Sequence, residues 1–123
     1  MAGEFIRTSI FVCSGASNCG QIANSVAVKL TEESLGNMGC LAGIGAHDEK
    51  MINGAKTAGR VIVIDGCAVS CARKTLDNAG IIATNWICVT DDGIKKTSNK
   101  FEIKPDETAR VLAKCRNILS NGQ

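Results

Sequence analysis

The sequence predicts an α/β protein with a three-layer Rossmann-like fold, built on a mostly parallel sheet of four to five strands. Short β-branched segments alternate with amphipathic helical segments, an order that requires crossover connections between parallel strands. The strongest strand candidate, Arg60–Asp65, contains the unbroken apolar run VIVI, which is typical of a central strand buried on both faces. Aromatic residues are scarce, with three Phe, one Trp and no Tyr, so the core must be aliphatic. No composition shift divides the 123 residues, and we expect a single domain, 1–123.

The first strand and the first helix are predicted close to the start of the chain. Thr8–Val12 is short, apolar and β-branched, as expected of a buried strand. A helix is predicted from about Asn18 to Glu33, and Gly36 is expected to end it. Its apolar stripe consists of Ile22, Ala23, Val26, Ala27 and Leu30.

The next strand and helix carry a weaker signal. The segment Asn37–Leu41 predicts a weak second strand that is flanked by glycines, and residues 42–46 are expected to form a loop. Asp48 is suited to cap the short helix that follows. The residues of this helix expected to face inward are Met51, Ile52 and Ala55.

Beyond the VIVI strand, the alternation of helix and strand continues. A helix is predicted over about 68–78, with its inward face formed by Ala72, Thr75, Leu76 and Ala79. Asn85–Val89 predicts another strand, and the residues Asp91-Asp92-Gly93 predict a turn. Lys100–Lys104 is a candidate for a short edge strand.

The last helix is predicted to begin at Pro105, because proline suits the first helical position and two acidic residues follow it. Its apolar stripe consists of Thr108, Val111, Leu112, Cys115, Ile118 and Leu119.

Charge and hydropathy exclude several classes of protein. The formal net charge is +2, and neither an arginine-rich stripe nor an aromatic platform favours nucleic-acid binding. The basic cluster of Lys95, Lys96, Lys100 and Lys104 is interpreted as a solvated loop, with contact to an anionic partner as the alternative. No apolar run reaches the roughly 18 residues of a membrane span, and the start of the chain lacks a signal-peptide apolar region. We therefore expect a cytoplasmic protein whose cysteines are thiols or metal ligands rather than disulfides.

The spacing of the cysteines is the most informative feature for function. Cys13, Cys40 and Cys67 are each 27 residues apart, and Cys71 follows Cys67 by one helical turn. This step is close to one strand–helix repeat, since a βαβ unit takes roughly 30 residues. Ligands of open parallel sheets bind outside the carboxyl ends of the strands. The spacing therefore predicts that these four thiols converge on that rim of the sheet.

Four convergent thiols are a suitable ligand set for a soft metal ion such as zinc, and an iron–sulfur cluster uses the same ligands. If Cys67 and Cys71 lie in the first turns of one helix, they share a face of it, and the helix N-terminus favours thiolate. Arg73 and Lys74 are candidates to offset the negative charge of the thiolates. The alternative interpretation is a set of scattered structural or redox thiols.

Five other residues have simpler interpretations. Cys88 and Cys115 lie on apolar segments and are predicted to be core residues. Cys19 is expected to lie near the site as a thiol that does not bind the metal. Asp65 is interpreted as a cap for the next helix, with orientation of a ligand as the alternative, and His47 as a solvated loop residue.

Three motifs resemble the DGC domain family, which is named for an Asp-Gly-Cys sequence. They are Cys13-Ser-Gly-Ala-Ser-Asn with Gly20-Gln-Ile-Ala, then Met38-Gly-Cys-Leu-Ala-Gly-Ile-Gly-Ala, then Val61-Ile-Val-Ile-Asp-Gly-Cys-Ala-Val-Ser-Cys-Ala. The resemblance runs from about Phe11 to Lys95 and implies zinc binding by four chelating cysteines. These correspond to Cys13, Cys40, Cys67 and Cys71. The resemblance implies no reaction, and Cys19 departs from the residue type expected within the first motif.

The leading hypothesis is therefore a small cytosolic zinc-binding protein with a closed four-cysteine site at the rim of the sheet. Four protein ligands leave no open position for water, which argues against hydrolysis at the metal and favours a structural, metal-handling or sulfur-handling role. The alternative is a thiol-based redox or persulfide-carrying enzyme that uses Cys67 with Cys71, or Cys13 with Cys19. A module that binds a protein partner is also compatible with the sequence.

Overall fold

The computed structural model describes residues 7–121. The elements in chain order are β1 Thr8–Val12, α1 Asn18–Glu32, β2 Asn37–Met38, α2 Leu41–Gly45, α3 Glu49–Lys56, β3 Arg60–Asp65, α4 Cys71–Asn78, β4 Asn85–Cys88 and α5 Pro105–Asn121. A short 3-10 turn over Val89–Asp92 follows β4. No helix within 7–121 is both long enough and apolar enough to cross a membrane.

The four strands form one parallel sheet in the order β2-β1-β3-β4. All six residues of β3 are buried, and both of its neighbours pair with it in parallel. In the register of the sheet, Ile62 lies between Ile10 of β1 and Asn85 of β4. The prediction that VIVI forms a central parallel strand is therefore confirmed.

The two faces of the sheet build two separate cores. Ile62 and Ile64 point to the face that is covered by α1 and α5. Val61 and Val63 point to the opposite face, which is covered by α2, α3 and α4. This alternation follows from the two-residue period of a strand and produces the predicted three layers. The chain thus has the Rossmann-like α/β architecture that the sequence predicts.

Several local predictions are confirmed by side-chain contacts. The five apolar residues predicted for the α1 stripe are all buried. Asp48 caps α3 by accepting a hydrogen bond from the Met51 backbone N–H at 2.9 Å. Helix α5 begins at Pro105 as predicted, and Val111 and Leu112 of its stripe are buried.

Three element boundaries differ from the prediction. Strand β2 contains only two residues. The segment after it, interpreted as a loop, forms the short helix α2. Its glycines have low helix propensity, so the sequence pattern does not indicate a helix. Lys100–Lys104 forms no strand. Helix α4 begins at Cys71, three residues later than expected, because Ser70 adopts a left-handed backbone conformation with φ 62° that no α-helix accommodates.

Two further predictions, one on burial and one on the end of a helix, are also wrong. Met51 was expected to face inward, but its relative exposure is 44%. Gly36 does not end α1, because the left-handed residue after the helix is Ser34, with φ 60°. Gly36 instead allows β2 to approach β1, since a Cβ at this position would lie 2.6 Å from Ile10 Cδ1.

Candidate functional site

The carboxyl ends of β1 and β3 open into a cavity of about 230 Å³, which we call the rim cavity. Three of the four predicted ligand cysteines line it, namely Cys13, Cys67 and Cys71, together with Asp65 and Lys96. The two strands are adjacent and parallel, so the residues that follow them emerge at the same edge of the sheet. The structure therefore brings these three thiols to one place, as the cysteine spacing predicts.

Cys13 follows β1 and is held by the backbone of the neighbouring strand. Its backbone N–H donates to the Ile64 carbonyl at 3.3 Å, and its Sγ accepts a hydrogen bond from the Gly66 N–H at 3.3 Å. Burial raises the pKa of the Cys13 thiol, whereas the backbone N–H groups of Gly15 and Gly66 act in the opposite direction. The sulfur is thus half-buried and points across the rim towards the loop after β3.

Cys67 lies in the loop between β3 and α4 rather than in the helix, which corrects the prediction that Cys67 and Cys71 share the first helical turns. The Lys96 ammonium donates a hydrogen bond to Cys67 Sγ at 3.3 Å. Cys71 is the first residue of α4 and is exposed. Of these two cysteines of the rim cavity, Cys67 therefore lies in a loop and Cys71 at the start of a helix.

The backbone is strained beside two of the rim cysteines. Ser14, which follows Cys13, has φ 47°, and Ser70, which precedes Cys71, has φ 62°. Residues other than glycine adopt this left-handed region infrequently, and such conformations cluster at functional sites. These conformations change the direction of the chain immediately after Cys13 and immediately before Cys71.

Cys40 does not line the rim cavity. It is the N-cap of α2, and its Sγ accepts a hydrogen bond from the Gly43 N–H at 3.4 Å. It lines a different cavity of about 750 Å³ beside β2, whose walls include Phe11 and Met51. Within residues 7–121, no group of three or more His, Cys, Asp or Glu side chains is arranged to hold a metal ion. The structure thus brings together three of the four predicted ligands, without a preformed coordination geometry.

Asp65 is a structural residue of the rim. Its carboxylate accepts hydrogen bonds from the backbone N–H groups of Ala72 at 2.8 Å and Arg73 at 3.1 Å, and from Trp86 Nε1 at 3.0 Å. The side chain is buried and caps α4 from the end of β3. The cap hypothesis is confirmed, and Asp65 ties together β3, β4 and α4 directly beneath the three cysteines.

The remaining cysteines lie in the core. Cys19, Cys88 and Cys115 are all buried, as predicted for Cys88 and Cys115. Burial raises the pKa of Cys115 to about 11. Burial also raises the pKa of the Cys19 thiol, and the charges of Glu107 and Cys67 raise it further. Cys19 is therefore a fully buried core thiol next to the rim.

His47, the only histidine, is exposed in the loop between α2 and α3, as predicted for a solvated residue. It does not line the rim cavity.

The positively charged residue at the site is Lys96, in contrast to the prediction that it lies in a solvated loop. Arg73, predicted to offset the charge of thiolates, lies over the Trp86 ring with its guanidinium carbon 4.9 Å from the ring centroid. Lys96 reaches the cavity because Asn18 holds its loop. The Asn18 amide donates to the Lys95 carbonyl at 2.9 Å and accepts from the Thr97 N–H at 2.6 Å. No local sequence signal reports this contact, since the two segments are 77 residues apart.

The rim is also a place of close backbone packing. A Cβ at Gly66 would lie 2.7 Å from the Gly20 backbone nitrogen and 2.8 Å from the Cys19 carbonyl carbon. A Cβ at Gly20 would lie 2.6 Å from the backbone nitrogen of Gly15. The loop after β1, the start of α1 and the loop after β3 therefore touch through glycines, which places the cysteine-bearing segments against one another.

The sequence is similar to a known protein family and to a curated protein. The sequence model of a family described as the DGC domain matches residues 9–115. The chain is 26% identical over 113 residues to the anaerobic and virulence modulator AnvM of Pseudomonas aeruginosa, and the match covers 92% of this chain and 86% of that protein. No solved structure matches the chain.

Proposed function

The chain belongs to the DGC domain family, and from this membership and the chemistry of the rim cavity we propose that it binds one zinc ion through cysteine thiolates. The observation that carries the proposal is that Cys13, Cys67 and Cys71 line one cavity at the carboxyl edge of a parallel sheet. Thiolates are soft ligands that select zinc over magnesium or calcium. None of the seven cysteines is in a disulfide, so the three cysteines of the cavity are available as ligands in a reducing compartment such as the cytosol.

The residues of the cavity fit such an ion chemically. Three thiols supply most of a tetrahedral ligand set, and the ammonium of Lys96 offsets part of the negative charge that several thiolates bring. The Gly66 N–H that donates to Cys13 Sγ supports a thiolate in the same position. Bound zinc supplies a fixed positive charge that ties the loop after β1 to the loop after β3.

Cys40 is the proposed fourth ligand. To join the other three thiols, its sulfur must leave the Gly43 N–H that it caps. Loss of a helix cap costs about 1 kcal/mol, whereas binding of structural zinc by cysteine-rich peptides contributes about 10–16 kcal/mol. The five-residue helix α2 is a small element to reposition. Loss of this cap therefore costs little beside the binding of zinc, and a closed site with Cys40 as fourth ligand fits a structural, metal-handling or sulfur-handling role rather than hydrolysis.

We expect one zinc per chain in protein that is purified anaerobically. Serine at any of Cys13, Cys40, Cys67 or Cys71 should lower the zinc content strongly, because a hydroxyl is a poor replacement for a thiolate on zinc. Metal analysis combined with native mass spectrometry measures this directly, and it distinguishes zinc from an iron–sulfur cluster, which uses the same ligands.

Cys88→Ser and Cys115→Ser are the matched controls, since both side chains are buried and neither lines the rim cavity. They should keep the zinc content of the unmodified chain. Full zinc occupancy in Cys40→Ser would restrict the proposed ligand set to the three cysteines of the cavity.

A second candidate function is thiol chemistry at Cys67 without a metal, as in a redox or persulfide-carrying protein. The observation that favours it is the Lys96 ammonium, which lies 3.3 Å from Cys67 Sγ. A neighbouring lysine is a feature of reactive cysteines, because positive charge favours the nucleophilic thiolate. The half-buried Cys67 also lines an accessible cavity that a small thiol or persulfide can enter.

Alkylation by iodoacetamide should separate the two functions. In a closed zinc site all the ligand sulfurs are bonded to metal, so Cys67 and Cys71 should react slowly until a chelator is added. We expect this protected pattern, measured as the rate of labelling of the peptide over 61–73. Rapid labelling of Cys67 in zinc-replete protein would instead support metal-free thiol chemistry.

A further inference from the structure

Cys19 and Cys67 lie next to each other although 48 residues separate them in the chain. Gly66, the residue before Cys67, packs directly on the Cys19 backbone, and a Cβ at Gly66 would lie 2.8 Å from the Cys19 carbonyl carbon. The two side chains are also close enough to interact electrostatically, and both interact with Lys96. The start of α1 and the loop after β3 therefore carry two neighbouring thiols, one on each side of this glycine contact.

The two thiols differ in their access to solvent. Cys19 has 0% relative exposure and belongs to the core between the sheet and the helices α1 and α5. Cys67 is half-buried and lines the rim cavity. A small oxidant in water reaches Cys67 but not Cys19. A solvent-accessible cysteine beside a second thiol is an arrangement in which the first is oxidised and the second resolves the product.

We propose that Cys19 is the resolving thiol for oxidation of Cys67 and that the chain forms a Cys19–Cys67 disulfide. A hydroperoxide is the oxidant. The Cys67 sulfur attacks the terminal peroxide oxygen, the O–O bond breaks, and Cys67 becomes a sulfenic acid while one water or alcohol leaves. The Cys19 sulfur then attacks the Cys67 sulfur, the S–S bond forms, and the S–O bond breaks. The hydroxyl leaves as water with the proton of Cys19, so two thiols are oxidised and one peroxide is reduced.

This pair differs from pairs within one segment, such as Cys67 with Cys71. Cys71 is the first residue of α4, and the left-handed residue Ser70 precedes it. Cys67 lies before Ser70, outside the helix, so the two cysteines do not share a helical face. Cys19, by contrast, is already packed against the loop that carries Cys67. Disulfide formation requires close approach of the two backbones, with Cα atoms about 4.4–6.8 Å apart. The glycine contact places the backbone next to Cys67 against the backbone of Cys19. The reaction also removes Cys67 from any metal, although it does not depend on one.

The test uses the full chain in metal-free form, treated with hydrogen peroxide and then denatured with its free thiols blocked. Trypsin releases Cys13 and Cys19 on the peptide over 8–29, and Cys67 and Cys71 on the peptide over 61–73. In the double variant Cys13→Ser/Cys71→Ser, each peptide keeps one cysteine, so a link between them identifies Cys19–Cys67. We expect the two peptides to be joined by a disulfide in this variant.

Adding Cys19→Ala to this double variant should abolish the link, whereas adding Cys88→Ala, which removes another buried thiol, should retain it. In the otherwise unmodified chain, Cys19→Ala should raise labelling of Cys67 by dimedone several-fold, because the sulfenic acid is no longer resolved. Cys19→Val, which fills the site with a side chain of similar size, serves as a second variant if the alanine variant is poorly folded.

Two results would overturn the inference. One is a disulfide between Cys67 and Cys71, or between Cys19 and Cys88, with no link between Cys19 and Cys67. The other is dimedone labelling of Cys67 that is unchanged in both Cys19 variants. The zinc proposal is tested separately, by the metal content of the reduced protein, which Cys19→Ala should leave unchanged.

Discussion

Replacing Ile62 with aspartate is expected to abolish folding. Ile62 is fully buried in the central strand β3, where it lies between β1 and β4 and faces the core beneath α1 and α5. A carboxylate there would be surrounded by the apolar side chains of this core. Burial of an unpaired charge costs several kcal/mol, which is a large fraction of the roughly 5–15 kcal/mol that stabilises a typical domain. Circular dichroism and urea denaturation of Ile62→Asp should show no cooperative unfolding transition.

The matched control is the same substitution at Ile82, whose relative exposure is 86%. A charge at that position stays in water, so Ile82→Asp should change the free energy of unfolding by no more than about 0.5 kcal/mol. Ile62→Val, which keeps an apolar side chain in the strand, should cost about 0.5–1.5 kcal/mol. Cooperative unfolding of Ile62→Asp at near-normal stability would contradict the central position of β3.

Replacing Gly66 with alanine is expected to lower the free energy of unfolding by about 1–3 kcal/mol, the usual cost of overpacking. The added methyl group would lie 2.7 Å from the Gly20 nitrogen and 2.8 Å from the Cys19 carbonyl carbon. Both are backbone atoms, so a change of side-chain rotamer cannot relieve the contact. The two backbones must separate, and this also weakens the hydrogen bond from Gly66 N–H to Cys13 Sγ. Urea denaturation measures the loss of stability.

Gly54→Ala is the control for the loss of a glycine as such. Gly54 lies within α3, and a Cβ there would meet no atom within 4 Å. Alanine is favoured over glycine inside a helix, so this variant should gain about 0.5–1 kcal/mol. The two substitutions should therefore shift the denaturation midpoint in opposite directions. A Gly66→Ala variant as stable as the unmodified chain would mean that the rim packs less closely than the structure indicates.

The fold could be predicted because its signals are local and repeated. The run VIVI identifies the central strand, since only a strand covered on both faces is apolar at every position. The helical period of α1 identifies its buried face in the same way, and Pro105 identifies the start of α5. Cys88 and Cys115 are recognisable as core residues because they lie within such patterns. These assignments need no knowledge of distant contacts.

The sequence by itself also determined that Cys13, Cys67 and Cys71 lie at one edge of the sheet, because residues that follow adjacent parallel strands emerge there. Tertiary structure decided the rest of the candidate site. Cys40 follows a two-residue edge strand and serves as the cap of α2, so the regular spacing does not carry it into the cavity.

Lys96 and Cys19 approach Cys67 only through long-range contacts: Asn18 holds the lysine loop, and Gly66 packs on Cys19. Hydrophobic periodicity specifies which face of an element is buried. It carries no information about which distant loop will form hydrogen bonds with a buried amide, or which distant backbone will pack against a glycine. For this reason the sequence determined the sheet and the edge at which its thiols gather. Only the packed chain decided which thiols and which cation are neighbours there.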